Sequence, residues 1–211
     1  MKGSKWLNFL LAVAVSAQAV TMAVNGSRDN SDAADAANEG STTIDDIMTR
    51  SSIRSYTSQD VTDGQVDTLL RAAMAAPTAG NRQPWAFIVI RDRSVKDSLV
   101  TIGRAKSVAK APVAIVVCGD LRKAYKDDGR DFWVEDASAA SENILLAAHS
   151  MGLGAVWCGV YPKTDRVDHY KQVLGIPDSI VPLNVIAIGH PAVPSRPKDK
   201  YKLEVIHQNR W

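Results

Sequence analysis

Arg50, Ser51, Ser52 and Arg54 place two guanidinium groups and two hydroxyls within five residues. A phosphate dianion needs that kind of charge-assisted donor set, in which arginine offers a planar fork of N–H groups and serine a neutral donor. Lys198 and Lys200 add point charges from a distant part of the chain. Exposed arginines and lysines are also the norm on protein surfaces. The cluster by itself therefore reads equally as a phosphate grip or as a solvated basic edge.

Two further stretches carry chemistry. Pro77-Thr78-Ala79-Gly80-Asn81-Arg82-Gln83-Pro84-Trp85 is a loop bracketed by prolines. Asn81 and Gln83 each offer a donor and an acceptor, the combination that reads the edge of a flat heteroaromatic ring. The same residues suit a plain turn between a helix and a strand. In Trp157-Cys158-Gly159, a glycine lets a ligand approach the backbone closely. Standing alone, that tripeptide reads better as a strand end with a packed tryptophan.

Several familiar sites are missing. Gly152-Leu153-Gly154 lacks a third glycine at residue 157 and sits between a helix and a strand, the reverse of a dinucleotide fingerprint. There is no GxxxxGK[ST] loop and no GxSxG elbow. His149, His169, His190 and His207 show no metal-ligand spacing. No nucleophile is paired with a base, so no catalytic side chain and no metal ligand is assigned.

These residues need a scaffold. Thr43 is a candidate cap for a short helix through Ile44 and Ile47. Thr62 with Gln65 forms a capping box ahead of Val66, Leu69, Leu70 and Ala73 at helical spacing. Further helices are expected over 94–105, over 132–151, whose apolar face is wide, and around Val167 to Leu174. Four short apolar runs read as buried strands: 85–90, 113–118, 155–160 and 183–188. Apolar on both faces and separated by helices, they imply a mixed or largely parallel sheet covered on both sides. The tail beyond Pro191 has little core of its own and needs a partner surface.

The 211 residues suffice for one well-cored domain. Residues 1–19 read as a signal peptide: Lys2 and Lys5, then an apolar run, then Ala17-Gln18-Ala19 as a small-x-small cleavage site. An uncleaved anchor is the competing reading, weakened by Asn8, Ser16 and Gln18. Residues 20–43 read as a flexible linker and 44–211 as the folded domain. The expectation is an exported protein of a bacterial periplasm or cell envelope, with no stable membrane insertion once the leader is removed. Taking Lys2 and Lys5 from the 25 basic residues leaves 23 against 23 acidic, so no nucleic-acid partner is expected. Cys118 and Cys158 lack CxxC spacing and read as two buried thiols.

The order of five strings makes a resemblance specific. R-S-S-I-R-S-Y at 50–56, A-P-T-A-G-N-R-Q-P-W at 76–85, A-P-V-A-I-V-V-C at 111–118, N-I-L-L-A-A-H-S-M-G-L-G-A-V-W at 143–157 and H-Q-N-R-W at 207–211 resemble the nitroreductase-like FMN-dependent oxidoreductases. The resemblance implies an α+β nitroreductase-like fold with a central sheet of mixed, antiparallel and parallel, pairing flanked by helices. It also implies an intertwined homodimer with FMN at the subunit interface. By the same resemblance, Arg50, Ser52 and Arg54, with Ser51 beside them, contact the FMN phosphate and ring edge. Pro77, Thr78, Ala79, Asn81 and Gln83 would come from the partner subunit. Trp157, Cys158 and Gly159 would lie by the ring, and Lys198 and Lys200 on the phosphate.

The activity so implied passes hydride from NADH or NADPH through bound FMN to a nitro, quinone or similar electron-poor acceptor, one partner leaving before the next binds. The flavin performs the redox step and the protein orients it. Other readings are an exported flavin-binding protein without turnover, a dehalogenase or dehydrogenase on the same scaffold, and a non-enzymatic envelope domain.

Overall fold

The computed structural model describes residues 42–103 and 105–211. The expected leader and most of the linker lie outside the described residues. The elements run α1 (Thr43–Thr49), α2 (Asp63–Met74), β1 (Trp85–Ile90), α3 (Arg93–Leu99), α4 (Lys106–Lys110), β2 (Val113–Asp120), α5 (Phe132–Ser150), β3 (Gly154–Gly159), α6 (Thr164–Leu174) and β4 (Ile180–Gly189).

The strands form one sheet in the order β1-β2-β4-β3. Every pairing between them is antiparallel. The α+β, helix-flanked sheet is as expected, but its parallel component shrinks to one isolated bridge, Ser52 to Ala155. The reason lies in burial. Alternate side chains of a strand face opposite sides, and in β2 both sides are covered. Val113, Ile115 and Val117 pack with Leu69 of α2 and Ile144 of α5, whereas Ala114, Val116 and Cys118 pack with Leu99 of α3, Val108 of α4 and Tyr170 of α6. Continuous apolar runs report that two-sided cover, not strand direction.

The capping box of α2 is formed, with Gln65 N donating to Thr62 Oγ1 at 3.2 Å and Thr62 N to Gln65 Oε1 at 2.9 Å. Thr43 is the first residue of α1 rather than its cap, and α1 buries no side chain. The helix expected over 94–105 is shorter, ending at Leu99; the chain then turns through Gly103 at φ 82°, and α4 begins only at Lys106. Cys118 and Cys158 are free thiols, the first buried and the second half-buried.

Candidate functional site

Residues 50–56 run beside β3 in extended form. Ile53 N donates to Ala155 O at 3.0 Å. Ile53 is buried against Gly154, where an added Cβ would sit 2.6 Å from Ile53 Cγ2. Because side chains alternate along an extended segment, burying Ile53 turns Ser52 and Arg54 outward, and both are exposed. Tyr56 anchors the far end, its hydroxyl donating to Ile53 O at 2.8 Å.

The C-terminal tail folds back over this segment. Ser195 Oγ donates to Thr49 O at 2.8 Å and lies 2.8 Å from Ser51 Oγ. Arg196 N donates to Ser51 Oγ at 3.0 Å, and Ala192 N to Ser55 O at 3.0 Å. The result is a groove of about 870 Å³ that joins Arg50, Ser51, Ser52 and Arg54 to Lys198 and Lys200. Arg196 lies there too, a cation that sequence reasoning missed. Asp199 is the single acid among its described lining residues, and Ile47, Met48, Val193 and Tyr201 form apolar walls. Arg50 Nε stands 3.2 Å from Glu142 Oε1 but does not aim its N–H at that oxygen, so this buried atom has no hydrogen bond. A buried donor left unpaired, set among surplus cations, fits a phosphate ligand. Ser51 differs from its neighbours: its hydroxyl is already engaged by the tail.

Arg54 also borders a second groove, of about 520 Å³, with Ser55, Lys106, Ser107, Lys110, Trp157, Cys158, Gly159 and Arg166. A Cβ added to Gly159 would meet nothing within 4 Å, so the end of β3 faces open space. Arg166 Nη1 donates to Gly159 O at 3.0 Å. Burial pushes the Cys158 thiol up, while its contact with Ser107 and the charges of Arg54 and Arg166 pull the other way. Lys106, Lys110 and Arg166 carried no signal in the sequence, because nothing in their spacing announces that α4 and α6 converge on the end of β3.

The proline-bracketed loop stands apart. Asn81 and Gln83 line a groove of about 610 Å³ with Leu70, Met74, Trp85, Phe87 and Lys123 among others. Gly80, Asn81 and Gln83 all hold left-handed backbone, at φ 54°, 53° and 50°. Such conformations cost free energy in a residue with a Cβ and are kept where surrounding contacts impose them. Here those contacts are Gln83 Nε2 to Asn81 Oδ1 at 2.9 Å, Gln83 N to Thr78 Oγ1 at 3.1 Å and Ala79 N to Asp136 Oδ1 at 2.7 Å. Arg82 lies over the Tyr125 ring, 4.8 Å from its centre.

One chain therefore joins the Arg50–Arg54 segment to the tail lysines, and through Arg54 to Trp157, Cys158 and Gly159. Neither of those two grooves is lined by Pro77, Thr78, Ala79, Asn81 or Gln83.

A model described as the nitroreductase family matches residues 47–106 and 99–190. The chain belongs to the nitroreductase family. A family member from Methanothermobacter thermautotrophicus, named as an NADH dehydrogenase/NAD(P)H nitroreductase, is 43% identical over 169 residues, covering 80% of this chain and 87% of its own. The FMN reductase (NADPH) of Bacillus subtilis is 33% identical over 186 residues, 80% of this chain and 74% of its own. Among solved structures, an NADH dehydrogenase/NAD(P)H nitroreductase by name from Parabacteroides distasonis superposes with a TM-score of 0.76 at 44% identity, over 80% of this chain and 98% of its own.

Membership in the nitroreductase family corrects the expected export. The relatives are named for NADH, NADPH and FMN chemistry, and the family match starts at residue 47, past the residues read as a leader. Placement in a periplasm or cell envelope is not supported. Among the described residues, no helix is long and apolar enough to cross a membrane.

Proposed function

We propose that this chain is an FMN-dependent NAD(P)H oxidoreductase that reduces nitro, quinone or similar electron-poor acceptors by a ping-pong sequence. The observation that carries the reading is the first groove, whose described lining residues include five cations, Arg50, Arg54, Arg196, Lys198 and Lys200, and one acid, Asp199. FMN, when bound, supplies the ring that takes and returns hydride. The chain supplies its grip and its surroundings. Arg50, Ser52, Arg54, Lys198 and Lys200 hold the phosphate, and Ser51 ties the tail that carries the lysines. Trp157, Cys158 and Gly159 border the ring, with Gly159 leaving room for it.

The working unit is an intertwined homodimer of domain 44–211. Pro77, Thr78, Ala79, Asn81 and Gln83 complete the site of the second copy, with the Asn81 and Gln83 amides reading the ring edge. Ile44, Met48, Leu203, Val205 and Trp211 are large apolar side chains left exposed on α1 and the tail, a surface suited to burial by that copy. This supports a dimer in the same way that it supports a tail needing a partner.

The purified chain should show the absorbance of a bound flavin, or take up added FMN at one equivalent per chain, and should then oxidise NADH or NADPH when a quinone or nitroaromatic is added. Protein that neither carries nor binds FMN defeats this reading.

A further inference from the structure

We infer that Tyr125 is a positioning residue for the flavin reaction: its ring holds the Gly80–Gln83 turn in the shape that presents the Asn81 and Gln83 amides. The inference rests on the flavin reading above, in which those amides meet the ring edge, and adds to it the residue that sets them.

The first observation is what the turn leaves free. Asn81 and Gln83 are exposed, and both hold left-handed backbone, at φ 53° and 50°. Gln83 Nε2 donates to Asn81 Oδ1 at 2.9 Å. That bond uses one donor and one acceptor of the pair. It leaves Asn81 Nδ2 as a donor and Gln83 Oε1 as an acceptor. Left-handed backbone costs free energy in residues with a Cβ, so contacts from elsewhere must impose it.

The second observation is the source of such contacts. The Tyr125 ring lies against Gly80, where an added Cβ would meet Tyr125 Cζ at 3.1 Å and Cε2 at 3.2 Å. The Arg82 guanidinium lies over the same ring, 4.8 Å from its centre, drawn to the electron-rich face. Arg82 is in none of the ion pairs formed by the described residues. One ring thus touches the residue before Asn81 and the residue between Asn81 and Gln83.

The third is that Tyr125 is itself fixed. Phe132 meets it edge-on, with ring centres 6.0 Å apart and planes at 73°. A Cβ added to Gly129 would come within 3.1 Å of Tyr125 Cβ. Phe132 stands four residues before Asp136 on α5, so the two share a helix face. Asp136 takes the Ala79 N–H at 2.7 Å. The start of α5 therefore holds the turn by two routes, at Ala79 directly and at Gly80 and Arg82 through Tyr125. The Tyr125 hydroxyl makes no hydrogen bond among the described residues, so the ring carries the contact.

FMN titration followed by flavin fluorescence, with the visible spectrum of the bound flavin, tests this. The proteins are wild type, Tyr125→Ala, Tyr125→Leu, Tyr125→Phe, Asn81→Ala and the Tyr125→Ala/Asn81→Ala double variant. Tyr125→Ala should bind FMN about threefold to tenfold more weakly, the worth of one neutral hydrogen bond, and shift the flavin bands. Tyr125→Phe, which keeps the ring, should restore both. The double variant should lose less than the sum of the two single losses, because Tyr125 acts through the turn that carries Asn81. Arg54→Ala, which acts on the phosphate, should weaken binding with the bands unmoved. If Tyr125→Ala does not fold, Tyr125→Leu, which keeps bulk without an aromatic face, takes its place. Additive losses, or an alanine variant with wild-type affinity and bands, overturn the proposal, as does a phenylalanine variant no better than alanine. Wild type that holds no FMN defeats the flavin reading and this proposal with it; wild type that holds FMN beside variants that match it defeats this proposal alone.

Discussion

Asp136, buried on α5, accepts the backbone N–H of Ala79 at 2.7 Å and so fixes the start of the left-handed turn that presents Asn81 and Gln83. Burial pushes its carboxyl above the ordinary range, against the pull of the Ala79 bond. Folding therefore favours the protonated acid. That contribution is complete below the unfolded group's pKa and is lost as pH rises through the folded value. Asp136→Ala should cost about 1–3 kcal/mol by leaving the Ala79 N–H without its acceptor. Asp136→Asn keeps an acceptor without the buried charge, so it should cost less than alanine, and wild type should lose stability relative to it as pH rises from acid to neutral. Urea unfolding of the three proteins at acid and neutral pH gives the comparison; an alanine variant as stable as wild type would remove the role assigned to this bond.

Arg54 is exposed and its side chain's one hydrogen bond among the described residues, to Ser52 O, is long at 3.4 Å, so its removal disturbs little of the fold. Arg54→Ala should weaken FMN binding by about tenfold to a hundredfold, the worth of one charge-assisted contact, with the melting temperature of the flavin-free protein nearly unchanged. Flavin fluorescence during FMN titration reads the first quantity and calorimetry the second.

Gly154 is a packing control on the same segment. Its missing Cβ is what admits Ile53 Cγ2. Gly154→Val should destabilise the fold by about 1–3 kcal/mol through overpacking and push the 50–54 segment off β3. Weaker FMN binding should accompany the lower urea midpoint, although no ligand-facing side chain has changed.

The exposed tail offers a test of assembly. Leu203, Val205 and Trp211 are 70%, 67% and 101% exposed in one chain. Ending the chain after Lys202 should shift the proposed dimer to monomer in light scattering and lower its flavin content. A dimer of unchanged stability would place the interface elsewhere.

The two thiols should be unreactive. Burial pushes Cys118 up to about 12, and Cys158 is raised as well. Since the thiolate is the reacting form, a disulfide reagent near pH 8 should modify native protein far more slowly than urea-unfolded protein, Cys158 ahead of Cys118. Rapid modification of Cys118 in folded protein would contradict its burial.

Much of the scaffold was legible in the residues, and for identifiable reasons. The Thr62–Gln65 box and the apolar runs of β1 and β2 are local signals, and local signals survive folding. Strand direction was not legible, because Val113 to Cys118 is buried on both faces whichever way its neighbours run. Part of the site was visible for the same reason: Arg50 to Arg54 lie on one short segment, while their joining to Lys198 and Lys200 depends on Ser195 reaching Thr49. Lys106, Lys110, Arg166 and Arg196 were invisible, since their meaning arises from where α4, α6 and the tail come to rest. Ser51 looked like its neighbours on paper; its hydroxyl belongs to the tail.

The Ser51–Ser195 tie also has a consequence in time. The walls of the phosphate groove are separated by more than 140 residues of chain, so during synthesis the early wall emerges from the ribosome long before the late one exists. On the proposed reading, flavin is not gripped by a nascent chain that has not yet released Lys198 and Lys200. Loading is then a post-synthetic event, and a chain cut short before the clasp forms should accumulate as a folded sheet that never turns yellow.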